Sequence, residues 1–94
     1  MKILILVAID DGLKRTDLPN LQIEYIGVGK VNAAFNTLKA IQKYSPDTVI
    51  NFGTAGSLDP NINGLVEVSK FLQRDMDASP LGFEIGQTPF ENDI

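Results

Sequence analysis

Residues 21–52 constrain what this chain can become more than any other stretch. They run apolar strand, glycine turn, amphipathic helix, proline stop and apolar strand. Leu21 to Val28 reads as a strand, with Ile23, Tyr25 and Gly27 alternating against Gln22 and Glu24. Gly27-Val28-Gly29-Lys30 then opens a helix over 30–44, in which Val31, Ala34, Leu38 and Ile41 recur at helical spacing and make one apolar face. Lys39 and Lys43 fall near its C-terminal end, where the helix dipole favours cations. Pro46 stops the helix at Tyr44-Ser45, because the residue before a proline is pushed out of the helical region. Asp47 to Phe52 is again a strand. A strand, a helix and a strand in so short a span form a βαβ unit, whose two strands run parallel. The fold class is therefore α/β, with a mostly parallel sheet.

The rest of the chain adds to that unit. Lys2 to Val7 is a β-rich apolar run, expected to be a buried first strand rather than a signal peptide: Asp10 and Asp11 follow at once, and no small-residue cleavage site is convincing. Asp10 to Pro19 is polar and ends in a turn signal, Leu18-Pro19-Asn20. Asp59 to Gly64 reads as a loop, and Leu65 to Gln73 as a fourth strand with Val66, Val68 and Phe71 inward. From Arg74 onward no period is clear, and Asp75, Asp77, Pro80, Gly82, Gly86 and Pro89 give an extended loop. The reading is one domain over 1–94, with 74–94 extended and a candidate intersubunit loop. Parallel strands are normally covered by helices on both faces. One helix for about four strands leaves a face bare unless a partner or further sequence covers it. The expectation is an obligate oligomer subunit or the N-terminal part of a larger domain.

Composition excludes several classes of function. The net charge is −4, and the 8 basic residues form no patch that would neutralise phosphates, so nucleic-acid binding is not expected. No apolar run approaches the ~18 residues of a membrane span. Cysteine is absent, which removes thiolate chemistry and disulfides and agrees with a cytoplasmic setting. Histidine is absent as well, so the commonest general base and metal ligand are missing. Chemistry here has to use carboxylates, hydroxyls, amides and backbone groups; no cofactor is expected.

Three segments offer such groups. Asn51-Phe52-Gly53-Thr54-Ala55-Gly56-Ser57 brings a glycine-flanked hydroxyl to the end of a strand. In open α/β sheets that carboxyl edge is where ligands bind, and the glycines permit close approach and positive φ. A plain strand-to-loop turn accounts for the same residues. Gly27-Val28-Gly29-Lys30 stands between a strand and a helix, where backbone N–H groups can hold an anion. It has neither the third glycine of a dinucleotide fingerprint nor the spacing of a P-loop, and a ligand-free tight turn fits it equally. Asp10 and Asp11 follow the first strand, where carboxylates activate water or grip a sugar hydroxyl, or simply sit in a solvated loop. Asp75-Met76-Asp77 supplies two carboxylates without the six to eight oxygens calcium wants, so no metal site is expected.

Taken in order, Gly27-Val28-Gly29-Lys30-Val31-Asn32-Ala33-Ala34, Pro46 through Leu58, Arg74-Asp75-Met76-Asp77 and Leu81-Gly82-Phe83-Glu84-Ile85-Gly86-Gln87 resemble the nucleoside phosphorylase/nucleosidase superfamily. Within it the chain is most similar to the methylthioadenosine/S-adenosylhomocysteine nucleosidases. The resemblance covers nearly the whole chain but only the N-terminal portion of a usual member. It implies a partial three-layer α/β fold, usually dimeric, acting on the N-glycosidic bond of purine nucleosides. It also implies that Thr54 lies beside the ribose and the attacking water or phosphate. Ala55 and Gly56 would line base and sugar, and Val28 the 5′ and ribose side. Ala78 and Leu81 would belong to a loop reaching the neighbouring subunit's 5′-substituent pocket.

The chain departs from that pattern in places. The nucleosidases carry a glutamate after the first strand to activate water; direct alignment puts Gly12 there, leaving Asp10 or Asp11, each one methylene shorter, as substitutes. The family's purine-protonating aspartate and ribose-binding glutamate lie in its C-terminal half, outside these 94 residues. The stretch before Gly27 is also shorter than usual, as though a family hairpin were missing. The expected function is purine nucleoside hydrolysis with the catalytic acid absent from this chain. The alternatives are a nucleoside phosphorylase, or a non-catalytic nucleotide-binding or oligomerisation fragment.

Overall fold

The computed structural model describes residues 1–10 and 13–90. Asp11 and Gly12 lie outside the described residues. The chain divides into two compact units, residues 1–56 and 57–94.

The first unit is an open parallel sheet with one helix. Its elements are β1 (Ile3–Val7), β2 (Gln22–Tyr25), α1 (Lys30–Tyr44) and β3 (Thr48–Asn51). The strand order is β2-β1-β3, so the first strand stands in the centre. Both pairings are parallel, with Ile5 opposite Ile23 on one side and Ile50 on the other. The expected βαβ unit is present, its crossover passing over β1, and the fold class is α/β as the sequence indicated. The starts of β1 and β3 are clamped together: the Lys2 N–H donates to the Asp47 carboxylate at 2.7 Å, and the Asp47 N–H donates back to the Lys2 carbonyl at 2.9 Å.

Strand periodicity of two divides the core. Leu4 and Leu6 face α1 and pack with Ile26 and Ala40, with Ala33 and Tyr44 at the margin. Ile5, Val7 and Ile23 point to the opposite face, against Ile3, Leu13, Tyr25 and Phe52. Leu4 and Ile23 are fully buried, and burying each contributes about 1.5–3 kcal/mol.

The helix has the expected bounds but not the expected inner face. Ala40 is its buried residue, while Val31 is 83% and Leu38 55% exposed. Small side chains at 33 and 40 let the helix lie close on the sheet, and the Val31–Leu38–Ile41 stripe is rotated away from it. Ser45 ends the helix in the left-handed region, φ 46°, and its N–H caps the Ile41 carbonyl. The strands are also shorter than the apolar runs that announce them.

The two sheet edges differ. The outer side of β2 is covered by the chain itself. Arg15, in a 3-10 turn (Arg15–Asp17), donates through Nε to the Ile23 carbonyl at 3.2 Å and lies over the Tyr25 ring. The Tyr25 hydroxyl donates to the Leu13 carbonyl at 2.9 Å. Among the described residues no strand pairs with the outer side of β3, whose four residues are all exposed.

The second unit contains no strand among its described residues. The strand expected over Leu65–Gln73 does not form, and residues 65–72 are exposed and belong to no helix or sheet. Alternating apolar residues make a strand only where an edge is there to pair with and a face to pack on. The unit is organised instead by local turns. Gln73 N–H donates to the Gly86 carbonyl at 2.9 Å and Gly86 N–H to the Met76 carbonyl, while Phe83 and Phe90 meet edge to face. Ser79–Leu81 is a short 3-10 turn that ends at Gly82, φ 90°.

Candidate functional site

All three parallel strands release their chains at the same edge of the sheet. Ile26 N–H donates to the Val7 carbonyl at 2.8 Å, Gly27 N–H to the Ala8 carbonyl at 3.0 Å, and Phe52 N–H to the Leu6 carbonyl at 2.9 Å. The pairing therefore continues past each strand and brings the Gly27–Lys30 turn and the Gly53–Gly56 segment out on one side of the first unit. Ala8, Ile9 and Asp10 leave β1 at that edge too, and Asp10 is exposed. This is the edge at which open α/β sheets bind ligands.

The glycine turn is held by two asparagines of the following helix, Asn32 and Asn36, neither of which has a role in the motif as read from sequence. Asn32 Nδ2 donates to the Val28 carbonyl at 2.9 Å, and Asn36 Nδ2 donates to the Ile26 carbonyl at 3.0 Å. Gly27 has φ 84°, and a Cβ there would stand 3.1 Å from the Asn32 Cβ. Gly29, φ 92°, is the helix N-cap and accepts the first helical hydrogen bond, from Ala33 at 2.9 Å. Their signal is spacing: an amide side chain one helical turn after a tight bend can reach back to the bend's carbonyls. Val28, between the glycines, is 70% exposed.

The Gly53–Gly56 segment behaves differently. Neither Gly53 nor Gly56 has positive φ, contrary to the expectation from their residue type, and a Cβ on either would meet open space. Nothing within the described chain requires glycine at these positions. Thr54, Ala55 and Gly56 are all exposed, so the hydroxyl and the bare backbone face outward. Such a surface donates and accepts hydrogen bonds to a polyol and lets a flat ligand approach the main chain. It contains no proton donor strong enough to expel a leaving group.

Ala78 and Leu81 belong to the second unit. Ala78 is half-buried and precedes the Ser79–Leu81 turn, its carbonyl accepting from Leu81 N–H at 2.9 Å. Leu81 is exposed. Just upstream, the Asp77 carboxylate accepts from the Ser79 hydroxyl at 2.6 Å and its N–H at 3.0 Å, and these bonds hold its pKa below the ordinary 3.8. Asp77 is thus a turn-former. Among the described residues no group of three or more His, Cys, Asp or Glu side chains could hold a metal ion. No described helix is long and apolar enough to cross a membrane.

Of the two arginines that a phosphate site would call on, Arg15 is occupied at the β2 edge, with Glu24 at 3.5 Å in addition to Ile23 and the Tyr25 ring. Arg74 is exposed in the second unit.

Comparison with known proteins points the same way as the motifs. The family model described as the phosphorylase superfamily matches residues 20–93. Over 65 residues the chain is 48% identical to 5′-methylthioadenosine/S-adenosylhomocysteine nucleosidase of Staphylococcus aureus strain JH9, covering 67% of this chain and 28% of that protein. The enzymes of the same name from strains Newman and COL match equally, at 48% identity over 65 residues. The matched stretch thus spans 28% of the length of these relatives.

Proposed function

Because this chain belongs to the phosphorylase superfamily, we propose that it supplies the ribose-side part of a site that hydrolyses the N-glycosidic bond of a purine nucleoside of the methylthioadenosine/S-adenosylhomocysteine type. One observation carries this reading. The Gly53–Gly56 segment and the Gly27–Lys30 turn emerge together at the carboxyl edge, and nothing among the described residues requires glycine at 53 or 56. A nucleoside pressed against bare backbone supplies the reason the fold does not. In this reading the Thr54 hydroxyl positions the ribose and the attacking water. Ala55 and Gly56 line sugar and base, and Val28 meets the 5′ side. Ala78 and Leu81 belong to a loop that serves the neighbouring subunit of a dimer.

The chemistry needs an oxocarbenium-like sugar, an oriented water and a protonated leaving base. Hydroxyl and backbone groups at 53–56 orient; they do not protonate. Asp10 and Asp11 are the carboxylates nearest in sequence to the end of β1, and either is a candidate to orient water. Lack of a general acid typically costs 10²–10⁴-fold in rate. These residues by themselves therefore bind nucleoside weakly and release base negligibly. Hydrolysis is preferred to phosphorolysis because Arg15 is already bound to Glu24, Ile23 and Tyr25.

The test is calorimetric binding of methylthioadenosine to the purified chain, beside an adenine-release assay with and without phosphate. Expected are weak binding that Thr54→Val reduces further and negligible release in either buffer. Absence of binding overturns the ribose-side reading. Release at the rate of a full-length relative overturns the missing acid, and phosphate-dependent release overturns hydrolysis.

A further inference from the structure

Deamidation of an asparagine needs two things of a chain: a side-chain amide able to turn toward the backbone, and a following N–H free to attack it. The described asparagines differ on the second. The N–H after Asn20 donates to the Leu18 carbonyl at 3.1 Å, and the one after Asn32 donates to the Gly29 carbonyl at 2.9 Å. The N–H after Asn51 donates to Leu6 at 2.9 Å, the one after Asn61 donates to Asp59 at 3.0 Å, and the one after Asn36 lies inside α1. Asn63 is the exception. Among the described residues no hydrogen bond holds its side chain or the N–H of Gly64.

The loop accounts for that contrast. The Ser57 hydroxyl donates to the Asp59 carbonyl at 2.6 Å, and the Asp59 N–H donates back to the hydroxyl at 3.2 Å. The Asn61 N–H donates to the Asp59 carboxylate at 2.9 Å, as aspartates in turns commonly arrange. With the bond from Ile62, these engage every backbone N–H from 59 to 62 and stop short of Asn63. Gly64 has φ 77°, and a Cβ there would meet open space. Lacking a Cβ, it offers the least crowded nitrogen a main chain can. All of these groups lie within residues 57–64, inside the second unit.

We infer that Asn63-Gly64 is a self-modification site, where the chain deamidates without an enzyme. The Gly64 N–H gives its proton to solvent base, and the nitrogen attacks Cγ of Asn63. The bond from Cγ to the amide nitrogen breaks, and ammonia leaves with a proton from solvent. The product is a five-membered succinimide. Water then adds to one ring carbonyl. Opening at Cγ restores the main chain and leaves aspartate; opening at the α-carbonyl leaves isoaspartate, with the main chain running through Cγ. Either product replaces a neutral amide by a carboxylate and adds one negative charge to the net −4.

The experiment ages the purified full chain in mildly alkaline buffer and maps its peptides by fragmentation mass spectrometry that separates the two isomers. The expected result is a gain of about one dalton at Asn63 before any other described asparagine, with both isomers present. The rate should rise with pH and lie within about tenfold of that in urea, since a segment without hydrogen bonds opens at little cost. Ile62→Gly puts a glycine after Asn61 but keeps the N–H bond to Asp59, so position 61 should still lag behind 63 in buffer and match it in urea. Asn63 left unmodified in buffer while it converts in urea overturns the inference. Aspartate without isoaspartate overturns the cyclic route, and so does a rate that ignores pH. Position 61 of the Ile62→Gly chain converting as fast as 63 in buffer overturns the part given to the hydrogen bonds.

Discussion

Asn32 donates its side-chain amide to the carbonyl of Val28 at 2.9 Å, tying the first turn of α1 to the bend that precedes it. The same side chain fills the space that a Cβ on Gly27 would need. One residue therefore both braces the bend and dictates glycine within it.

Gly27→Ala is expected to lower stability by about 1–3 kcal/mol, since it combines a strained positive φ with a contact the helix cannot easily relieve. Asn32→Ala removes one hydrogen bond at an exposed site, and its cost is nearer ~1 kcal/mol. Urea denaturation of both variants checks the order: the glycine variant must be the less stable.

Gly53→Ala and Gly56→Ala should behave in the opposite way. With negative or extended φ and open space around each, alanine holds stability or raises it by up to about 1 kcal/mol through the unfolded chain. Methylthioadenosine binding should fall all the same, because the added methyl stands where the ligand approaches. Calorimetry on the folded variants measures this, and unchanged affinity would remove the role assigned to these glycines.

The sequence made some of this legible and hid the rest for physical reasons. The helix over 30–44 was readable because a glycine bend and Pro46 fix its ends independently of packing. The parallel arrangement followed from the βαβ order. Periodicity marked Val31, Leu38 and Ile41 as one face but could not show which face the sheet would take, and Ala33 and Ala40 took it. Leu65–Val68 has strand-like residues and no neighbour, and a strand is a property of a pair. At the candidate site the residue types were visible, whereas the support from Asn32 and Asn36 depends on how a helix aims its first turn.

Tyr44 links α1 to the sheet through its hydroxyl, which donates to Glu24 at 2.5 Å, and Glu24 also accepts from Gln22. Tyr44→Phe is expected to cost about 1 kcal/mol, toward the low end for a bond to a charged acceptor because Glu24 is partly hydrated. Thermal unfolding followed by circular dichroism reads the loss.

The Asp77 turn carries a pH dependence. Its carboxyl is lowered from 3.8 chiefly by the Ser79 hydroxyl, then by the Ser79 N–H. A depressed carboxyl pKa means the turn is favoured at neutral pH and loses that advantage as pH falls below about 3.8 toward the folded-state value. Nuclear magnetic resonance titration should place the Asp77 midpoint below 3.8, and Ser79→Ala should move it upward. An Asp77 midpoint untouched by Ser79→Ala would contradict the assigned cause.

The central position of β1 sets an order of events during synthesis. β1 is made before both of the strands it pairs with, and the clamp between Lys2 and Asp47 spans 45 residues of chain. On a ribosome, Ile3–Val7 emerges early and waits, half-paired with β2, until β3 has cleared the exit tunnel. Contacts of such long sequence separation form slowly. A strand made before both of its neighbours is thus the last to be secured, and during that wait it is the segment a chaperone would be expected to hold.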